Sequence, residues 1–273
     1  MMGQLVLLGL PIGNPEDISL RSLEALKSGQ HFMVEDTRTF IKLLSYFKIE
    51  TKEKKIDSFH DHSPDNKINQ VLSKVKKGLS IYLASEAGSP VISDPMFPLI
   101  RQALKEGIKV TTFPGATSPA AALELSGLPP IPYHFHGFLS KTGGGIKSYY
   151  QSCLTLKGTH LIFVGPHDVQ DHVQLLREIS PELDIILTKE MTKMFENRIH
   201  LGAGEWTIPQ ELLRGEFVLS FYVDKDTGVA EGKIKDLAQQ VLDHQGKRKT
   251  LAKLLAKILD QNDKDIYNQL NRG

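Results

Sequence analysis

Between residues 1 and about 115, short apolar runs alternate with segments whose apolar residues recur at helical spacing, and few folds tolerate that pattern. Leu5 to Leu8, Phe32 to Val34, Leu79 to Ala84 and Val110 to Phe113 read as strands. Leu20 to Lys27, Thr39 to Phe47, Lys67 to Lys76 and Phe97 to Glu106 read as helices. Strict alternation of this kind predicts a parallel or mostly parallel sheet covered by helices, since parallel neighbours need a crossover between them. In such α/β sheets ligands gather at the carboxyl ends of the strands, so the loops there are the first place to look for chemistry.

Further along, "PGATSPAAALELSGLPP" reads as a turn, one helix and a Pro-rich exit, and "LSKTGGGIKS" as a flexible loop. A second set of apolar runs follows, "HLIFVG", "DIILTKE" and "FVLSFYV", with the helical "DVQDHVQLLREI" between the first two. From about residue 229 the pattern is helical only. Ile234, Leu237, Ala238, Val241 and Leu242 recur at helical spacing, as do Leu251, Leu254, Leu255 and Ile258. A last short helix carries Ile266, Tyr267 and Leu270, with Asn262 or Asp263 as its N-cap. A chain of 273 residues is long enough for two domains. The expected division is an α/β domain at 1–116, a second, smaller α/β domain at 117–228 and a helical segment at 229–273.

The charged and apolar fractions, 24% and 40%, are those of a soluble globular protein. A net charge of +1 excludes a surface that is basic all over, so an anionic partner must meet a local patch. The run "KRKTLAKLLAK" holds five basic residues and no acid; a solvated helix face and a nucleic-acid contact both account for it. One cysteine, Cys153, leaves no intramolecular disulfide and no cysteine-rich zinc site, suits a reducing cytoplasm, and is expected as a small buried apolar residue. The first residues lack a basic stretch, and Pro11 and Gly13 break their apolar run, so no signal peptide is expected. No apolar run reaches the length of a membrane span.

Four loops follow predicted strands of the first domain: "LPIGNPED" at 10–17, "VEDTR" at 34–38, "SEAGSPVISDP" at 85–95 and "PGATS" at 114–118. Gly9 and Gly13 fit neither a dinucleotide fingerprint nor a P-loop, and no lysine follows them. Small residues in these loops let backbone amides approach a ligand closely, as a nucleoside held without a phosphate grip requires. In "EDTR", Asp36 or Thr37 either caps the next helix with Arg38 paired to a carboxylate, or Arg38 orients a phosphate while the acids position a hydroxyl. "HDH" at 60–62 lacks a third placed ligand for a metal; substrate contact or hydrogen-bonded loop structure suits it better. No G-x-S-x-G elbow points to serine hydrolysis. "KEMTK" at 189–193 ends a second-domain strand, where Glu190 and Lys193 are either surface charge or ligand contacts.

Taken in order, "LPIGNPEDIS", "EDTR", "HDH", "SEAGSPVISDP", "PGATS", "KEMTK" and "RGEFVL" at 214–219 resemble the tetrapyrrole methylase superfamily, and within it the branch that methylates small-subunit ribosomal RNA. The resemblance implies a two-domain tetrapyrrole-methylase-like fold with S-adenosylmethionine in a cleft between domains, a homodimer, and methyl transfer to a cytidine ribose 2′-hydroxyl. It implies donor contacts from Pro11, Glu86, Gly88, Val91, Thr117, Ser118 and Val164. Asp36, His62 and Glu190 are the candidates for orienting or deprotonating the hydroxyl, with Arg38 and Lys193 holding phosphate and no metal required. Lys247, Arg248, Lys249 and Lys253 of the basic tail would bring in the RNA, by contacts that weaken as salt rises.

Three positions depart from the family pattern. Glu86 stands where an aspartate is usual, "FVGPHDV" replaces a "YESPHR"-like stretch and keeps only Pro166 and His167, and "LSKTGGGIKSYYQ" lacks the usual arginine. The alternatives kept open are a divergent relative that methylates another RNA or a small molecule, and an RNA-binding protein without catalysis.

Overall fold

The computed structural model describes residues 3–59, 65–92, 96–139, 145–224, 241, 246–259 and 262–271. The chain divides into two compact units, one of residues 1–141 and 159–222, the other of residues 142–158 and 223–273. All of the predicted helix at 234–242 but Val241, the "HDH" stretch and parts of the "SEAGSPVISDP" and "LSKTGGGIKS" loops lie outside the described residues.

The first unit holds two five-stranded sheets. In the first, β1 (Gln4–Leu8), β2 (His31–Val34), β3 (Lys55–Ser58), β4 (Ile81–Ala84) and β5 (Lys109–Phe113) run in the order β3-β2-β4-β1-β5, and every pairing is parallel. The crossovers are α1 (Leu20–Ser28), α2 (Thr37–Tyr46), α3 (Asp65–Lys76) and α4 (Phe97–Lys105). Successive residues of β1 serve opposite faces: Leu5 joins α3 and α4 residues such as Leu72, Val75 and Leu99, while Val6 and Leu8 join Leu26 of α1 and Phe40 and Leu44 of α2. Helices on both faces explain why β1, β2 and β4 are apolar almost throughout. The four strand runs and four helices read from the sequence are thus present, with ends shifted by one or two residues at most positions.

The second sheet has the order β6-β7-β10-β8-β9, built from β6 (Tyr133–Phe138), β7 (Gly158–Val164), β8 (Ile185–Lys189), β9 (Asn197–Leu201) and β10 (Phe217–Val223). β6 pairs with β7 in parallel, and β8 pairs antiparallel with both β9 and β10. Its helices are α5 (Ser118–Ser126) and α7 (Val169–Ile179). Arg177 of α7 is fully buried, and its guanidinium donates to five carbonyls: Glu205 at 2.8 Å, Pro181 at 3.0 Å, Leu201 at 2.8 Å, Gly202 at 2.6 Å, and Leu183. One side chain therefore ties the end of α7 to the turns after α7 and β9.

The second unit contains α6 (Gly145–Cys153), α8 (Arg248–Leu259) and α9 (Asp263–Leu270). Cys153 is buried, as expected, and burial pushes its thiol up to about 11, which keeps it protonated and unreactive. Leu251, Ala252, Leu255 and Ala256 of α8 pack with Ile266 of α9. Asn262 Oδ1 accepts the Lys264 amide at 2.9 Å, the N-cap bond expected there. The architecture is α/β with two sheets and a helical C-terminal segment.

Candidate functional site

The loops after β1, β2, β4 and β5 converge as the parallel sheet requires, and small residues let them touch. Leu10 donates its amide to Gly88 O at 2.8 Å and Gly88 returns one to Pro11 O at 3.3 Å, joining the first loop to the third. Gly9 and Gly115 meet backbone to backbone: a Cβ on Gly9 would lie 2.7 Å from Gly115 Cα, and one on Gly115 would lie 2.8 Å from Gly9 C. Gly88 has φ +70°, the left-handed region, where a larger residue would be strained.

Together with the second sheet these loops enclose a pocket of about 440 Å³. Ile12, Met191 and Val218, part of one buried apolar cluster, form its apolar shelf, extended by Phe163. Phe138, whose ring lies 5.3 Å from that of Phe163, is 69% exposed at the rim. Five of the seven proposed donor contacts, Glu86, Gly88, Thr117, Ser118 and Val164, line the pocket. Pro11 and Val91 do not, but each precedes a residue that does, Ile12 and Ile92.

Three carboxylates line the pocket, Glu35, Glu86 and Glu216, and no lysine, arginine or histidine does among the described residues. The Glu86 amide donates to Glu35 Oε2 at 3.3 Å. Partial burial, with Glu35 and Asp36 close by, holds the Glu86 carboxyl above its ordinary range against the pull of Arg38. The pocket lining is therefore acidic, and the cations nearest its carboxylates, Arg38 and Lys193, stand outside it.

None of the four described catalytic candidates lines the pocket; they flank it in two pairs. Asp36 caps α2, accepting the amides of Arg38 at 2.7 Å and Thr39 at 3.1 Å, and its other oxygen takes Arg38 Nη2 at 2.9 Å. Those bonds, the Arg38 side chain first, hold its carboxyl down at about 2. The capping alternative for "EDTR" is thus present in the geometry, and the Arg38 side chain is 86% exposed.

Glu190 and Lys193 sit in a tight turn after β8. Glu190 has φ +49° and Thr192 φ +65°. Lys193 Nζ reaches Glu190 Oε1 at 3.0 Å and Glu216 Oε2 at 2.9 Å, and Glu190 Oε1 also accepts the Glu216 amide at 2.9 Å. Burial alone would push Glu190 up, but the Glu216 amide and Lys193 outweigh it and hold it low; the two carboxylates likewise hold Lys193 high despite its burial. Thr192 Oγ1 accepts the Asn14 amide at 2.9 Å, so this turn is also fastened to the loop after β1. His62 lies outside the described residues.

Glu35 and Glu216 belong to "EDTR" and "RGEFVL", motifs singled out from the sequence, but their neighbours drew the assignment. Nothing in the sequence marks Phe138, because it stands on a strand that carries no long apolar run.

The family profile described as Tetrapyrrole (Corrin/Porphyrin) Methylases matches residues 4–205. Ribosomal RNA small subunit methyltransferase I of Streptococcus pyogenes serotype M18 (strain MGAS8232) is 30% identical over 275 aligned residues, covering 98% of this chain and 95% of the relative. The protein of that name from Vibrio cholerae serotype O1 is 34% identical, covering 92% of this chain and 87% of its own length. Among solved structures, the methyltransferase CobJ superposes with a TM-score of 0.60 at 14% identity over 81% of this chain and 94% of its own. Uroporphyrin-III C-methyl transferase from Thermus thermophilus, complexed with S-adenyl homocysteine, gives 0.51 at 16% identity over 81% and 97%. At that identity the two structures speak for the fold, whereas the sequence matches span nearly the whole chain; the chain belongs to the tetrapyrrole methylase family, and within it to the group of ribosomal RNA small subunit methyltransferase I.

Proposed function

We propose that this chain is an S-adenosylmethionine-dependent methyltransferase that modifies a cytidine ribose 2′-hydroxyl of small-subunit ribosomal RNA. The observation that carries the donor assignment is the pocket at the strand ends, with an apolar shelf, three carboxylates and no basic lining residue among those described. A phosphate-bearing cofactor would meet repulsion there, whereas a ligand with a sulfonium and an ammonium group meets the opposite charge. The acceptor assignment rests on the relatives, which are ribosomal RNA methyltransferases by name.

In this reading residues 1–116 and 117–228 supply the two walls of the donor cleft and residues 229–273 the RNA contact. Pro11, Glu86, Gly88, Val91, Thr117, Ser118 and Val164 hold the donor, which would supply a methyl group already made electrophilic by its sulfonium. The chain's task is then to hold the ribose oxygen in line with that methyl and to take the hydroxyl proton. Asp36, His62 and Glu190 are the candidates for the proton. Asp36 and Glu190 already hold cations, so an ionised carboxylate is at hand beside the pocket at neutral pH. Arg38 and Lys193 would hold RNA phosphate, and the exposed Lys247, Arg248, Lys249 and Lys253 would draw the RNA in. A homodimer in the cytoplasm belongs to the same reading; no helix among the described residues is long and apolar enough to cross a membrane.

The test is to incubate the full chain with labelled S-adenosylmethionine and small ribosomal subunits from a strain lacking its own ribose methylation, then map the product by mass spectrometry. Methyl on a cytidine ribose is expected. Donor binding in a calorimeter without transfer would point to another acceptor, and absence of donor binding would remove the enzyme reading.

A further inference from the structure

Two chain segments that line the acidic pocket run on into a second, shallower recess of about 680 Å³. The first passes from Val164 and Gly165 through Pro166, which walls both, to His167. The second runs back from Glu216 through Gly215 to Arg214. Gly215, at φ +92°, turns the chain between them. Two residues of chain span at most about 7 Å, so Arg214 stands close to the pocket that Glu216 lines.

The two recesses differ in charge. The first has no basic lining residue among those described, whereas the second presents His167 and Arg214, both exposed. No ion pair or side-chain hydrogen bond engages the Arg214 guanidinium among the described residues, although Glu211 shares the rim. Gln170, by contrast, is committed to the fold: it accepts the Ile208 amide at 2.9 Å and donates to Trp206 O at 2.7 Å. That bond ties the segment bearing the chain's one tryptophan to the wall of the recess.

We propose that this recess seats a phosphodiester of the RNA strand next to the reacting ribose, with Arg214 as the phosphate ligand and His167 beside it. The proposal rests on the methyltransferase reading for what occupies the neighbouring pocket. A planar guanidinium with its donors uncommitted suits two phosphate oxygens, and its place beside an acidic pocket separates the strand's charge from the donor's.

The experiment uses the full chain and a fluorescein-labelled single-stranded RNA of about ten nucleotides containing cytidine, read by anisotropy across a salt series. Donor affinity is measured in parallel by calorimetry with S-adenosylmethionine. Arg214→Glu should weaken RNA binding about tenfold or more, Arg214→Ala should lower the slope of log affinity against log salt by about one, and Arg214→Lys should restore most of both. Donor affinity should stay within about twofold in all three. RNA affinity and salt slope unchanged in Arg214→Glu and His167→Ala would overturn the proposal, as would RNA affinity that falls only where donor binding falls with it. RNA binding that depends on Arg214 in a wild-type chain unable to bind S-adenosylmethionine would uphold the recess and remove the methyltransferase reading instead.

Discussion

Glu86 shows how one carboxyl is asked for two opposite things. Its partial burial beside Glu35 and Asp36 raises its pKa, so the folded apo protein disfavours the ionised form, and that cost is relieved as pH falls toward the raised value. A cationic donor needs the same group ionised. Glu86→Gln should therefore melt no lower than the wild type at pH 7 while binding S-adenosylmethionine about tenfold more weakly. Donor affinity of the wild type, followed by calorimetry, should fall as pH is lowered and Glu86 takes up its proton, and Glu86→Gln should flatten that profile. Asp36 has the opposite sign: its pKa is lowered to about 2 by Arg38 and two helix amides, so its contribution to stability is full above 3.8 and is lost as pH falls through about 2. Melting at pH 7 and at pH 2 should show Asp36→Ala losing several degrees at the first and little at the second. "EDTR" made Asp36 legible as a cap or a base, and the cap is what its bonds describe. Glu35 is not legible in the same way, because adjacent residues in a loop have no fixed facing until the backbone is built.

At the scale of elements, Gly215 and Arg177 carry the joints. A Cβ on Gly215 would stand 2.6 Å from Glu190 Cγ, in a backbone conformation that L residues rarely adopt. Gly215→Ala should cost about 1–3 kcal/mol in urea unfolding and disturb the Glu190 to Lys193 turn. Arg177→Met would remove the guanidinium bonds to five carbonyls, of which Gly202 O keeps the Glu205 amide, and should cost more than about 3 kcal/mol by the same measurement. The first sheet was legible because strands buried on both faces must be apolar runs, and crossover helices must be amphipathic. β9 was not: as an edge strand it exposes Asn197, Arg198 and His200, so "NRIHL" looks like loop. β6, "YHFHGF", is the other edge, with all of its first four residues aromatic or imidazole and no aliphatic run to betray it.

For the whole molecule, the described pocket belongs entirely to the first unit, and the exposed basic residues of α8 to the second. A chain ending at residue 245 should keep its affinity for S-adenosylmethionine, measured by calorimetry, and lose at least about tenfold in affinity for small-subunit RNA at low salt. The resemblance in the loops made the pocket findable before any coordinates, but its acidity depends on which glutamates face inward, and that is a property of assembled walls. The order of the second sheet has a consequence of its own. β10, the last of its strands to be synthesised, lies in the middle, between β7 and β8. Until residues 217–223 emerge from the ribosome, β6 with β7 and β8 with β9 are separate strand pairs with open edges, and Glu216, Phe217 and Val218 are missing from the pocket. A nascent chain paused before that point would be a substrate for chaperones rather than an early enzyme, and its window of vulnerability closes with the arrival of a single strand.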